Sequence, residues 1–271
     1  MAKTRIAVVG AAGRMGRMLI KTIDETPGCA LTAALERPTS GCVGQDAGLV
    51  AGVGDLGVLV TCDAKSAIAE ADVLVDFTTP EASLAYAAIA AEAQTAHVIG
   101  TTGFSDADFE ALKVFGEQTV IVQSGNMSLG VNILAAIVRK VAGILGEDFD
   151  IEIVEMHHRQ KVDAPSGTAL LLGQAAAEGR GIDLGARSAR ARDGITGART
   201  AGDIGFAALR GGTVVGDHSV IFAGADERIA FQHIAEQRVL FARGAVKAAI
   251  WAKGQPAGYY SMADVLGLAD L

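Results

Sequence analysis

The chain has 271 residues, half of them apolar, with 20% charged residues, 5% aromatics and a formal net charge of −8. That composition supports a sizeable core in one large or two modest domains and excludes a disordered chain. The acidic balance argues against non-specific nucleic-acid binding, which needs a basic surface, yet leaves room for a locally basic pocket around a small anion.

Cys29, Cys42 and Cys62 form no CxxC pair and are odd in number, so they read as reduced thiols without a metal or catalytic role. The opening run IAVVGAAG is broken at once by glycine and reads as a strand and turn rather than a secretory segment. No uninterrupted apolar run reaches the roughly 18 residues of a membrane span. These observations predict a soluble, cytoplasmic protein with neither membrane nor nucleic-acid partner.

In the first half, short β-branched runs alternate with helical ones. Strands are expected at Ile6 to Val9, Leu31 to Leu35, Val58 to Thr61, Val73 to Phe77, His97 to Thr101 and Val120 to Gln123. Helices are expected at Met15 to Glu25, Ala64 to Glu70, Glu81 to Gln94 and Ser105 to Glu117. Strict alternation predicts a parallel sheet covered by helices. A long helix over Met127 to Leu145 then leads to a strand, IEIVEMHH, and a helix, SGTALLLGQAAAEG. The Gly- and Arg-rich stretch from Gly181 to Gly205 shows little periodicity, and GARSARARDG within it suits a solvated loop or an interface. Three β-patterned runs joined by glycine-rich turns follow, IGFAALRGG, TVVGDHSVIFAG and RIAFQHIAEQ, and suggest an antiparallel meander. The expected architecture is therefore α/β, a Rossmann-type domain at 1–127 and a second α+β domain at 128–238 with a mixed, mostly antiparallel sheet. Residues 239–271 are expected to pack back on the first domain.

Gly10, Gly13 and Gly16 lie between the first strand and helix, where glycine lets backbone approach a pyrophosphate at a helix N-terminus. Their spacing is GxxGxxG rather than the usual GxGxxG. Glu36 ends the second strand twenty residues after Gly16, where an acid accepts ribose hydroxyls. Arg37 beside it suits a 2′-phosphate, so the pair suggests tolerance of both NADH and NADPH. A tight turn with a solvated glutamate would look the same. Two later strand ends, GTTG at 100–103 and SGNMS at 124–128, should face the same crevice, or serve as simple turns.

In EMHHRQKVDAPSGT, two histidines, an arginine and a lysine precede a Ser166 cap and a helix start at Gly167 and Thr168. This offers imidazoles that donate protons near neutral pH, a point charge and an anion-binding helix terminus. It suits an acidic substrate that must receive a proton, or a solvated basic loop around one core histidine. His97, His218 and His233 have no partner at metal-ligand spacing and read as structural, so no metal is expected.

The segments GAAGRMG, GTTGF, GNMSLGVN, EMHHRQKVDAPSGTAL, GDIGFAALRGGTVVGDHSVIFAGADERIAFQH and FARGAVKAAIW closely resemble the 4-hydroxy-tetrahydrodipicolinate reductase family. This family, long called dihydrodipicolinate reductase, serves the diaminopimelate route to lysine. The resemblance runs nearly end to end and implies a homotetramer in which NAD(P)H reduces a cyclic imine dicarboxylate formed as the substrate loses water. It implies His157 as proton donor and acceptor, Lys161 as proton donor, and His158, Lys161, Gly167 and Thr168 as holders of the substrate carboxylates. It further implies dinucleotide contacts from Gly10, Ala11, Ala12, Gly13, Arg14, Met15, Glu36 and Arg37. The later turns would add Gly100, Thr101, Thr102, Ser124, Gly125, Asn126 and Met127. Where the family often reads FTRP, this chain reads FTTP at 77–80, so an arginine contact from position 79 is missing and Arg14 and Arg37 remain for a phosphate. The competing reading is an NAD(H)-binding redox sensor without catalysis, which would need a DNA- or partner-binding element that the sequence does not display. A thioester-forming carbonyl dehydrogenase would need a cysteine near the histidine loop, and all three precede position 63.

Overall fold

The computed structural model describes residues 2–268 and divides into two compact units, 2–128 with Val239–Gly267, and Leu129–Arg238 with Leu268. The first unit alternates β1 (Thr4–Val9), α1 (Arg14–Glu25), β2 (Cys29–Leu35), α2 (Ala47–Ala51), β3 (Val60–Thr61), α3 (Ala64–Ala69) and β4 (Val73–Asp76). It continues through α4 (Pro80–Ala93), β5 (Ala96–Ile99), α5 (Asp106–Gly116) and β6 (Val120–Gln123). Boundaries follow local chemistry. Thr79 caps α4 by accepting the Ala82 amide, with Pro80 in the first turn, and Ser105 and Asp108 form a reciprocal capping box on α5.

The second unit holds α6 (Leu129–Leu145), β7 (Asp150–His157), α7 (Gly167–Arg180), α8 (Leu184–Arg187), β8 (Ser188–Ala189), β9 (Ile204–Arg210), β10 (Gly216–Ala223) and β11 (Arg228–Ala235). The chain then returns to the first unit with α9 (Val239–Ala252), β12 (Gly258–Tyr260) and α10 (Met262–Leu266). Helix α9 packs on α1 and on strands β4 to β6, and Lys253 at its end bonds Asp72 at 2.7 Å. The tyrosine-rich β12 adds a parallel edge strand beside β6 that pattern reading did not separate from the helical tail.

Among the described residues the first sheet is wholly parallel, in the order β12-β6-β5-β4-β1-β2-β3. Strand order reverses between β1 and β4, so the turns after these two strands open the crevice where such sheets take ligands. Burial on both faces over most of β1, β4, β5 and β6 explains their consecutive apolar residues, Ile6 to Val9 in β1 and Val73 to Val75 in β4 among them.

The second sheet is mixed, in the order β11-β10-β7-β9-β8. The expected meander is interrupted, because β7 lies between β9 and β10, parallel to one and antiparallel to the other. The physical reason is the short loop from β9 to β10, which crosses the end of β7 and pairs with the departing backbone. Gly211 donates to the His157 carbonyl at 2.9 Å and His158 donates to the Val214 carbonyl at 2.8 Å.

One face of this sheet is covered by α6 and α7 around Ile151, Ile153, Leu172, Val220 and Phe222. By length and composition Leu129–Asp148 is apolar enough to cross a bilayer, but its Leu134, Val138 and Ala142 are buried in this core. The aperiodic arginine stretch is anchored rather than free. Arg192 grips Glu152 at 2.7 and 2.8 Å, and Arg199 bonds Asp150 and Glu152 at 2.7 and 2.9 Å.

Candidate active site

In the first unit, the turn after β1 has the shape a pyrophosphate needs. Gly10 adopts φ +67°, and a Cβ on Gly16 would lie 2.1 Å from the Gly10 carbonyl oxygen, so helix and turn touch where only glycine fits. No side chain caps α1, which leaves the amides at Arg14 and Met15 and the positive helix end facing outward. Glu36 Oε1 accepts the Ala12 amide at 2.9 Å, which draws the carboxylate over the glycine turn. Arg14 and Arg37 are exposed beside it, and Ala11 is buried beneath. These groups fit a dinucleotide.

The later turns are built differently. Thr101 is buried, and its hydroxyl accepts from the Thr78 amide at 3.0 Å and meets Ser83 Oγ at 2.9 Å, so the side chain organises the turn from within. Gly100 lies against the Phe77 ring, and Thr102 is exposed. Ser124 Oγ donates to the Asn126 carbonyl at 2.8 Å and Asn126 Oδ1 accepts the Ser128 amide at 2.8 Å, while Met127 is buried and Gly125 exposed. This hydrogen-bonded turn also explains why α6 begins at Leu129 and not at Met127. Position 79 serves as a helix cap, so its threonine does local structural work.

In the second unit, β7 ends at His157, and that ending resolves the problem of two adjacent histidines. His157 belongs to the buried, helix-covered face of the strand, whereas His158 already lies in the loop, with its Nε2 3.2 Å from an Arg238 guanidinium nitrogen. Lys161 Nζ rests 2.8 Å from Asp163 Oδ1. Ser166 caps α7 by accepting the Ala169 amide at 3.1 Å, and Gly167 and Thr168 form the first turn. The sequence-expected loop thus places His157, His158, Lys161 and the start of α7 in one unit.

Three further residues share this site. Glu155 is buried on the same strand face as His157, its Oε2 2.7 Å from His157 Nδ1. Arg210 on β9 grips both oxygens of Glu155 at 2.7 and 2.8 Å. His218 on β10 stacks edge-on against His157, centroids 5.0 Å apart, and meets Ser166 Oγ at 2.9 Å. Burial lowers the His157 pKa, with Lys161 and Arg210 acting in the same direction and Glu155 opposing them. For His218, burial and then the His157 charge push the pKa down to about 4. Burial alone would raise the Glu155 pKa, but Arg210 and then His157 hold it below the usual carboxylate range. Glu155 is legible in sequence as the residue two before His157 on a strand. Arg210 and His218 are not, since only the pairing of β9 and β10 with β7 brings them in. Among the described residues no cluster has the composition of a metal site.

Residues 4–127 match the family model described as Dihydrodipicolinate reductase, N-terminus, and residues 130–266 match its C-terminus counterpart. The chain belongs to the dihydrodipicolinate reductase family. Family members are NAD(P)H-dependent oxidoreductases. It is 58% identical over 270 residues to the 4-hydroxy-tetrahydrodipicolinate reductase of Methylocella silvestris, covering 100% of this chain and 99% of the relative. With the reductase of Rhodopseudomonas palustris strain BisA53 it shares 61% identity over 270 residues, again 100% and 99% of the two chains. The fold is that of the dipicolinate-bound dihydrodipicolinate reductase from Paenisporosarcina sp. TG-14, with TM-score 0.74, 24% identity and coverage of 96% and 97%. An amine dehydrogenase from Mycobacterium smegmatis shares the architecture at TM-score 0.60 and 13% identity, covering 96% and 95%. Within the family, then, the α/β fold with a mixed second sheet agrees with the sequence expectation.

Proposed function

We propose that the chain reduces 4-hydroxy-tetrahydrodipicolinate, with loss of water, to tetrahydrodipicolinate in the diaminopimelate route to lysine. The observation that carries this reading is that Glu155 joins His157 to the capped start of α7 while Lys161 lies near enough to act on the His157 charge, which supports a proton donor beside a site for carboxylates. A bound NADH or NADPH supplies the hydride. Gly10, Ala11, Ala12, Gly13, Arg14 and Met15 would hold its pyrophosphate, Glu36 its ribose hydroxyls and Arg37 a 2′-phosphate, with Gly100 to Thr102 and Ser124 to Met127 nearer the reacting ring.

The side chains of the second unit supply what the hydride does not. Hydride addition to a conjugated imine builds negative charge on the substrate, which nearby cations stabilise more in the transition state than in the ground state. The amides of Gly167 and Thr168, with His158 and Lys161, would take the two carboxylates. His157 would give one proton to match the hydride, a contribution of about 10²–10⁴-fold for a well-placed acid. Since burial, and to a smaller extent Lys161, disfavours the imidazolium against the pull of Glu155, an arriving dianion would favour a proton on His157 as it binds.

The exposed face of the second sheet supports a homo-oligomer, in line with the tetramer the resemblance implies. Leu209 and Ile234 are 50% and 55% exposed there, opposite the helix-covered face. A cytoplasmic location belongs to the same proposal. The test is NADH and NADPH absorbance with the substrate generated in situ by the preceding synthase, for the parent and Lys161→Ala. Oxidation that depends on the substrate and collapses in the variant is expected. Nucleotide binding without oxidation would overturn the enzyme reading.

A further inference from the structure

We propose that Glu155 is the positioning residue of this site, a single buried carboxylate that orients the proton-donating histidine and the substrate-binding end of α7 together. The inference rests on the reductase reading for its catalytic consequence and on geometry for the positioning itself.

Strand β7 places Glu155 and His157 on one face, two residues apart, so the carboxylate reaches the ring of its neighbour with no loop between them. Glu155 is 1% exposed, and both oxygens are fully used. Oε2 faces His157 Nδ1 at 2.7 Å and accepts from Arg210 at 2.7 Å. Oε1 accepts from Arg210 at 2.8 Å and from the Ser166 amide at 3.2 Å. The last of these bonds joins the carboxylate to the residue that caps α7. Arg210 lies opposite His157 in the parallel pairing of β7 and β9, and it also donates to the Asp163 carbonyl at 2.7 Å, at the base of the loop that carries Lys161. One carboxylate and its guanidinium therefore tie together the histidine, the helix start and the lysine loop.

This arrangement assigns the two ring nitrogens. An ionised carboxylate only accepts hydrogen bonds, so Nδ1 keeps its proton toward Glu155 and Nε2 is the atom that changes protonation. Nε2 lies over Gly216, where a Cβ would stand 2.9 Å from it, so β10 carries no side chain against the working nitrogen. Neutral His157 has no proton on Nε2. It becomes an acid by taking one there, the positive ring being stabilised by Glu155 across Nδ1, and after that proton passes to the substrate the ring returns to its starting tautomer. The proton on Nδ1 is never transferred. The charged and titratable groups around the ring are Glu155 on β7, Arg210 on β9, His218 on β10 and Lys161 in the loop.

The experiment compares the full-length parent with Glu155→Gln, which preserves volume but removes the charge and replaces one acceptor oxygen by a donor amide, and with Glu155→Asp, which keeps the charge and shortens the reach. Positioning predicts that kcat of Glu155→Gln falls about 100-fold or more, in line with loss of a placed acid, while KM for NADH stays within about 3-fold. It also predicts that the alkaline limb of the kcat profile moves to lower pH, with partial recovery of both in Glu155→Asp. A merely structural role would lower the melting temperature of both variants and leave the pH limb in place. The second readout is nitrogen-15 NMR of histidine-labelled protein. The hydrogen-bonded Nδ1 proton of His157 should be present in the parent and lost or shifted upfield in Glu155→Gln, whether or not the parent turns over this substrate. A parent with that resonance but no reductase activity would sink the functional reading and leave the positioning intact. An unchanged resonance, or a pH limb that does not move, would overturn the proposal. Should Glu155→Gln fail to fold, Glu155→Asp carries the same two readouts.

Discussion

Ser166 Oγ and His218 Nε2 stand 2.9 Å apart at the buried start of α7, and the burial of that imidazole makes the second unit sensitive to mild acid. His218 has its pKa lowered from the usual 6.5 to about 4, first by burial and then by the charge of His157, with Glu155 opposing and His233 and Lys161 adding to the depression. Between those two values the unfolded chain binds more protons than the folded one, so stability rises with pH through that window and is fully present above it. A shift of this size corresponds to on the order of 3 kcal/mol. His157 and His233 are lowered in the same sense and add to the slope. Denaturant midpoints at pH 7.5 and pH 5 should differ clearly for the parent and by less for His218→Gln. Equal pH slopes for the two proteins would show that His218 carries no such linkage.

Glu36 and Arg37 are expected to act on different parts of the nucleotide. Removing the carboxylate that accepts the Ala12 amide should weaken NADH binding in Glu36→Ala by about 5- to 30-fold, the span of one charge-assisted hydrogen bond, and alter NADPH binding less. Arg37→Ala should do the reverse, weakening NADPH more than NADH. Titration of each reduced nucleotide by fluorescence measures both. Identical losses for the two nucleotides in either variant would remove these residues from the choice between them.

Gly16 tests the turn itself. An alanine there would place its Cβ 2.1 Å from the Gly10 carbonyl oxygen, against backbone that cannot rotate away. The helix must then withdraw from the turn, so Gly16→Ala should lose nucleotide affinity by at least about 10-fold and stability by about 1–3 kcal/mol. Calorimetric titration with NADH and a denaturant melt check the two effects. Full affinity would mean that the turn accommodates the methyl group.

Much of this was legible in the sequence because it depends on neighbours along the chain. The glycine turn, Glu36 at a strand end, the cap at Ser166 and the alternation that sets Glu155 beside His157 are all short-range features. Arg210 and His218 are long-range. Their roles follow from β7 entering between β9 and β10, a register that no periodicity in the three β-runs encodes. Thr101 illustrates the opposite limit, because its GTTG context is a readable turn, yet only the packing of Thr78 and Ser83 against it turns its hydroxyl inward. The arginine stretch was unreadable for the same reason, as its partners Asp150 and Glu152 lie about 40 to 50 residues earlier.

The uncovered face of the second sheet yields the last expectation. Met156 and Leu209 are register partners on β7 and β9, and Ile234 on β11 stands in the same cross-sheet row beyond Asp217 of β10, so apolar side chains flank that acid on both sides. Leu209 and Ile234 stay about half exposed, and burying such side chains against another copy would stabilise an assembly by about 25 cal/mol per Å² of apolar area removed from water. A charge placed on this face must be desolvated in the assembly but not in the free chain. Leu209→Glu and Ile234→Glu should therefore shift the mass measured by light scattering toward smaller species, most strongly when combined, while the far-ultraviolet circular dichroism stays that of the parent. Because Glu155, His157 and α7 lie on the opposite face, the dissociated form should keep its substrate site if the unit is stable alone. An unchanged mass for the double variant would assign the oligomer contact to another surface.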